Sequence, residues 1–112
     1  MKGSHIGEFE EIVLLTVAIL NSNAYGISIR HEIAKQLKRK PSIGALHSAL
    51  GRLEQKGFIS SSEGEETPER GGRRKRYYII TAAGLRAIKH ARELRNAMWK
   101  SIPSVVLDLQ KP

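Results

Sequence analysis

The chain has 112 residues, which is the length of a single domain with a modest core. Its 19 Lys and Arg outnumber its 11 Asp and Glu, and the net charge of +8 favours a polyanionic partner, either nucleic acid or an anionic membrane surface. The lack of cysteine excludes disulfides, thiol catalysis and Cys-ligated zinc, and no apolar run approaches the roughly 20 residues of a membrane-spanning helix.

The first two predicted helices cover about residues 7–20 and 25–38. Three glutamates lie in the first turn of the first helix, where the helix dipole favours anions. The rest of that helix is apolar on nearly every side, which is typical of a central core helix. Lys40-Pro41 ends the second helix, because proline disfavours helical geometry in the residue before it.

The third predicted helix begins after Ser42, a favourable N-cap, and ends before Gly57, a favourable C-terminal glycine. Spacings of three and four residues predict an apolar face toward the core, made of Ile43, Leu46, Leu50 and Leu53. The opposite face is small and polar, and its residues are candidate contacts to the major groove of DNA: Ser42, Gly44, Ala45, His47, Ser48 and Arg52. His47 is equally consistent with a surface histidine that packs on the first helical turn.

Two strands are predicted next, at residues 58–62 and 77–80, joined by a polar loop that contains four glutamates. A run of cations precedes the second strand: Arg70, Arg73, Arg74, Lys75 and Arg76. These cations are candidate contacts to DNA phosphates or to the minor groove, and the alternative is a solvated charged loop. Since Tyr77 and Tyr78 point to opposite faces of the strand, one of them is expected to pack on the core.

Thr81 is the expected N-cap of the last helix, residues 82–102, which a short tail follows. The apolar stripe of this helix extends over about 27 Å, which is longer than one small domain can cover. We therefore expect a homodimer whose interface contains Leu85, Ile88, Leu94, Met98, Trp99 and Ile102. Trp99 is alternatively a stacking surface for a planar effector, with Arg95 nearby to attract an anionic or aromatic molecule.

The order of these elements predicts a mainly α fold with a small β-hairpin, namely a winged helix-turn-helix plus a C-terminal dimerisation helix. Residues 1–81 would form the DNA-binding domain, and residues 82–112 would form the dimerisation helix and tail. Catalysis has no support, because the sequence contains no phosphate-binding loop, nucleophile motif or carboxylate pair. The four histidines lie in separate elements, so neither a metal nor a cofactor is expected.

Three segments resemble the PadR-like bacterial transcription regulators. Residues 7–14 and 24–29 are similar to the start of the family's first two helices, and residues 42–57, SIGALHSALGRLEQKG, are similar to its recognition helix. Residues 71–84, GGRRKRYYIITAAG, resemble its signature of basic residues, paired aromatics and Thr-x-x-Gly. The chain departs from the family pattern at Ile43, Ala45 and His47, where proline, threonine and tyrosine are common, so an operator preference does not carry over.

The resemblance implies a cytoplasmic, dimeric repressor. Such a protein would bind double-stranded DNA and release it when a small effector binds. The symmetry of a dimer favours an inverted-repeat operator, and Trp99 with Arg95 favours an aromatic effector. Two other functions remain open from the sequence: a protein-interaction module, and an RNA-binding winged helix. Salt-sensitive binding to duplex DNA would exclude the first, and a preference for single strands or A-form helices would indicate the second.

Overall fold

The computed structural model describes residues 5–66 and 74–112. The elements follow one another in the order α1 (Glu8–Leu20), β1 (Ala24–Tyr25), α2 (Gly26–Leu37), α3 (Ile43–Gln55), β2 (Ile59–Glu66), β3 (Arg74–Ile80), α4 (Ala82–Lys100) and α5 (Ser104–Leu107). The strands form one antiparallel sheet of order β1-β3-β2. This is the predicted winged-helix fold, with a third strand, β1, added to the hairpin. In the part of the chain described, no helix combines the length and apolarity needed to cross a membrane.

Helix α1 lies against α2, α3, α4 and the sheet. Val13, Leu14 and Val17 are fully buried on this helix, as the sequence predicted for a core helix. Leu15 and Ile19 remain exposed, however, so α1 is not buried on every side within one protomer. Its outward apolar face lies near α4, and Leu15 lines a groove shared with that helix.

Helix α3 begins at the predicted cap, where Ser42 Oγ accepts a 3.1 Å hydrogen bond from the Ala45 N–H. Its buried residues are Leu46, Ala49, Leu50 and Leu53. The prediction that Ile43 faces the core is wrong, because this side chain is 56% exposed. Ala49 completes the buried face instead, and Ile43 lies on the first turn beside an open cleft. Gly57 ends the helix in the left-handed region, with φ of 78°.

In the wing, defined here as β2 and β3 with their connection, β2 ends later than predicted, at Glu66, and β3 begins earlier, at Arg74. Glu63 pairs with Arg76 and Glu66 pairs with Arg74, with an irregularity between them, so these residues are strand residues rather than loop residues. The physical reason is that antiparallel pairing uses backbone groups and tolerates charged side chains on an exposed hairpin. Arg70 and Arg73 lie outside the described residues.

The sheet places one tyrosine of the Tyr77-Tyr78 pair in the core, as predicted: Tyr78 is 7% exposed, while Tyr77 is half-buried. Strand β1 pairs with both tyrosines, Ala24 with Tyr78 and Tyr25 with Tyr77. This two-residue strand joins the start of α2 directly to the wing.

Helix α4 begins at its predicted cap, where Thr81 Oγ1 accepts a 3.0 Å hydrogen bond from the Gly84 N–H. The helix ends at Lys100, and the short helix α5 follows where a tail was predicted. Residues 92–100 are exposed, and the chain measures 59 × 36 × 22 Å. Its radius of gyration is 17.0 Å, against about 13 Å for a compact chain of this length. The far half of α4 therefore extends away from the core.

Candidate nucleic-acid interface

The outer face of α3 carries only short or polar side chains. All six residues predicted to face DNA from this helix are exposed: Ser42, Gly44, Ala45, His47, Ser48 and Arg52. A Cβ atom added at Gly44 or Gly51 would meet nothing within 4 Å, so the space outside the helix is open there. A helix with such a surface can bring its backbone close to the floor of a major groove.

A cleft of about 300 Å³ separates this helix from the wing. Its walls are the first turns of α2 and α3 and strand β3, and three cations and two imidazoles line it: Arg30, His31, His47, Lys75 and Arg76. The fold thus brings His47 of α3 together with Lys75 and Arg76 of β3, which the sequence predicted as separate DNA contacts. Arg74 is exposed on the same strand, and its Nη1 lies 3.4 Å from Glu63 Oε2.

Tyr25 joins the cleft wall on α2 to the wing. The Lys75 ammonium group lies 4.2 Å from the centroid of the Tyr25 ring, and the Tyr25 and Tyr77 rings meet edge to face at 5.5 Å. Both arrangements are attractive, because an aromatic face is negative and its edge is positive. Reasoning from the sequence missed this role of Tyr25, for which the only signal was the family-like segment Ala24-Tyr25-Gly26.

The turn between α2 and α3 is held by Arg30. Its Nε donates a 2.8 Å hydrogen bond to the carbonyl oxygen of Pro41, eleven residues away and directly before the α3 cap. At the start of α2, Ser28 Oγ accepts from the Tyr25 N–H at 2.9 Å and donates to the Asn23 carbonyl at 2.7 Å. These bonds fix the two helix starts that form the cleft.

Arg52 is held by α1. Its Nε donates to Glu10 Oε2 at 2.7 Å, and Lys56 Nζ donates to Glu10 Oε1 at 2.6 Å. Burial raises the pKa of the Glu10 carboxyl, but the hydrogen bonds and charges of Lys56 and Arg52 outweigh it, so the pKa lies below its ordinary value. The ionised Glu10 compensates part of the charge of Arg52, whose side chain is still 49% exposed. No pattern in the sequence indicates this contact between α1 and α3.

The predicted dimer-interface residues lie along α4 with different exposures. Leu85, Leu94, Met98 and Trp99 are more than half exposed, and Ile102 is partly buried. Ile88 is only 7% exposed and belongs to the protomer's own core, so it lies beneath the exposed stripe rather than on it. Trp99 is 65% exposed, one helical turn beyond Arg95.

Arg95, predicted to attract an effector, makes a two-pronged ion pair with Glu11 of α1. Nη2 lies 2.8 Å from Oε1, and Nη1 donates to Oε2 at 3.1 Å. The Glu11 carboxylate therefore compensates the charge of Arg95 and fixes the direction of its side chain. Among the residues that the structure describes, no group of three or more acidic or histidine side chains could hold a metal ion.

The comparisons with known proteins give one family and one fold. The model of the transcriptional regulator PadR-like family matches residues 14–90. A transcriptional regulator from Clostridium thermocellum is 28% identical, with 92% of each chain covered and a TM-score of 0.68. No curated protein matches the chain significantly.

Two further solved structures show the same fold at lower identity. A PadR-family regulator from Eggerthella lenta is 21% identical, with 94% of this chain and 88% of the other covered, at a TM-score of 0.68. A PadR-like regulator from Bacillus cereus is 19% identical, with 93% of each chain covered, at a TM-score of 0.69.

Proposed function

The chain belongs to the PadR-like family of transcriptional regulators, and on that premise we propose that it is a cytoplasmic, dimeric repressor. In this proposal it binds an inverted-repeat operator in double-stranded DNA and releases the operator when a small effector binds. The members of the family are regulators of transcription and not enzymes.

One observation carries the DNA-binding part of the proposal: the small outer face of α3 and the cations of β3 border the same cleft. His47 lies on one wall, and Lys75 and Arg76 lie on the other. A recognition helix in the major groove would therefore bring the wing to the adjacent phosphates. Arg73 lies outside the described residues, and it remains a DNA contact predicted from the sequence alone. Together these groups match a polyanion, as does the net charge of +8.

The dimer is supported by apolar surface that one protomer leaves in water. Leu94, Met98 and Trp99 on α4 are each more than half exposed, and so are Val105 and Leu109 beyond it. Exposed apolar side chains one helical turn apart, as Leu94 and Met98 are on α4, are typical of an interaction site. A second copy of α4 would cover the stripe from Leu85 to Ile102, and two-fold symmetry would set the two recognition helices about 34 Å apart, one turn of DNA.

The effector would bind beside Trp99. This ring is exposed on the stripe that the second protomer would cover, so a planar molecule could stack between two protomers. Arg95 is held in place by Glu11, and Arg92 lines the neighbouring groove between α1 and α4.

Because Trp99 is the sole tryptophan, its fluorescence reports directly on an effector. A planar anion that quenches it should also weaken DNA binding, and quenching without such weakening would contradict release by this site.

Selection of bound duplexes from a random library tests the proposed function as a whole. We expect enrichment of an inverted repeat whose half-sites are centred about one helical turn apart. A parallel selection from a random RNA pool serves as the comparison. Enrichment of RNA alone, or of no sequence from either pool, would contradict operator binding.

A transcription assay with purified components tests repression. A promoter that overlaps the selected repeat should lose activity when the protein is added, and increased activity would contradict repression.

A further inference from the structure

Two isoleucines on the candidate DNA-binding face remain exposed at the cleft. Ile43 is the first residue of α3, Ile27 is the second residue of α2, and each side chain is 56% exposed. Both line the cleft between α2, α3 and β3. Ile43 lies outside the core cluster that holds Leu46 and Leu50 of the same helix. Among the described residues, the packing of the core therefore does not account for this apolar side chain.

The surroundings of these isoleucines indicate what could cover them. Arg30, Lys75 and Arg76 line the same cleft, so a suitable partner carries negative charge next to a small apolar group. Duplex DNA has this combination in its major groove, where thymine presents its C5-methyl group between two phosphate backbones. The other three bases present no methyl group there.

The geometry points to Ile43 as a residue that determines base specificity: we propose that it contacts the C5-methyl group of one thymine in each operator half-site. This inference rests on the proposed function. Ile43 is chosen over Ile27 because base edges are contacted from the first turns of a recognition helix, whereas the preceding helix crosses the backbone. Ile27 would then face sugar and phosphate, and it would contribute little to the choice of base.

Replacing thymine by deoxyuridine tests the contact directly, since it removes the methyl group and leaves base pairing unchanged. The probe is the half-site obtained by duplex selection, with each thymine replaced in turn. Wild-type protein should lose about four-fold in affinity per half-site at one thymine position, which corresponds to the burial of one methyl group. Ile43→Ala should bind the thymine and deoxyuridine duplexes equally, and Ile43→Val should discriminate less than wild type.

Ile79→Ala is the matched control. Ile79 is 52% exposed, but it lines a different groove with Ser60 and Ser62, so this variant should keep the wild-type discrimination. Thermal melting of each variant checks that folding is unchanged. The inference is overturned if no thymine position responds in wild type, or if Ile43→Ala still discriminates against deoxyuridine. Either result leaves salt-dependent duplex binding intact, whereas loss of all duplex binding by wild type would contradict the proposed function itself.

Discussion

Glu10, on the first turn of α1, accepts a 2.7 Å hydrogen bond from the Arg52 Nε on α3. Lys56, directly after α3, donates to the other oxygen of the same carboxylate. One acidic side chain of the core helix therefore fixes the end of the helix that is proposed to enter DNA. It also means that Arg52 acts as a structural residue, whatever it contributes to DNA binding.

Glu10→Gln should lower the free energy of unfolding by about 1 to 2 kcal/mol at pH 7, because the amide carries no negative charge and has one acceptor oxygen for the two donors, Arg52 and Lys56. Urea unfolding measures this loss. Glu8→Gln, which removes the same charge from an exposed position in the same turn, is the control and should cost less. Equal losses in the two variants would show that helix-dipole charge, and not the bonds to Arg52 and Lys56, stabilises this region.

The stabilities of wild type and Glu10→Gln should depend differently on pH. Because folding lowers the pKa of Glu10 below its ordinary value of 4.5, the ionised carboxylate stabilises the folded state fully above pH 4.5. This stabilisation is lost as the pH falls through the folded-state pKa. The stability difference between wild type and Glu10→Gln should therefore shrink in acid, and a difference that stayed constant down to pH 2 would contradict the lowered pKa.

Substitution of glycine by alanine should have opposite effects on the stability of the fold at two positions. A Cβ atom at Gly84 would collide with the backbone carbonyl oxygen of Phe58, which accepts a 3.0 Å hydrogen bond from the Thr81 N–H. Gly84→Ala should destabilise the fold by about 1 to 3 kcal/mol. Gly51→Ala, on the open face of α3, should stabilise it by up to about 1 kcal/mol. Chemical unfolding measures both effects. A Gly84→Ala variant as stable as wild type would refute the packing described at Gly84, and a destabilised Gly51→Ala variant would refute the open space at Gly51.

Signals that act within a few residues predicted much of this fold. Ser42 and Thr81 cap the helices that they were expected to cap, and Gly57 takes the left-handed conformation expected after α3. These features depend on local backbone geometry, so the residue type is sufficient to predict them.

Features that depend on tertiary contacts were harder to predict. Strand β1 has two residues and exists only through pairing with β3, so no periodicity marks it. Ile43 fits the same apolar period as Leu46, but the core ends before the first turn of α3. The bond between Glu10 and Arg52 joins residues 42 positions apart, and neither residue type indicates the other. Each of these features contributes to the candidate site. The sequence therefore predicted the cations of the site, but not the tertiary contacts that hold its elements in place.

Ala45→Glu should abolish duplex binding and leave the melting temperature nearly unchanged. Ala45 is exposed near the start of α3, so the new carboxylate would repel DNA phosphates without disturbing the core. Ala82→Glu, at an exposed position at the start of α4, is the matched control and should bind DNA as wild type does. Electrophoretic mobility shift and circular dichroism measure the two properties. Unfolding of Ala45→Glu, or full binding by it, would contradict the orientation of α3.

Leu94→Asp combined with Met98→Asp should convert the proposed dimer into a monomer, because the charges would lie on the apolar stripe of α4. Sedimentation at micromolar concentration measures the assembly. Operator affinity should also fall steeply, since each half-site loses the linked second contact. Leu37→Asp, at a 40% exposed leucine at the end of α2, is the control and should remain dimeric. A monomeric wild type with intact operator binding would contradict the proposed dimer and the effector site within it.

The salt dependence of duplex binding tests whether α3 and the wing together form a DNA interface. The logarithm of the wild-type binding constant should fall linearly with the logarithm of salt concentration, by about 0.9 per phosphate contacted. Lys75→Ala and Arg76→Ala should each reduce that slope by about one, on operator and random duplexes alike. Lys111→Ala, at a residue of the C-terminal tail, should leave it unchanged. A wild-type affinity that does not respond to salt, or a slope that is the same in all four proteins, would contradict the account.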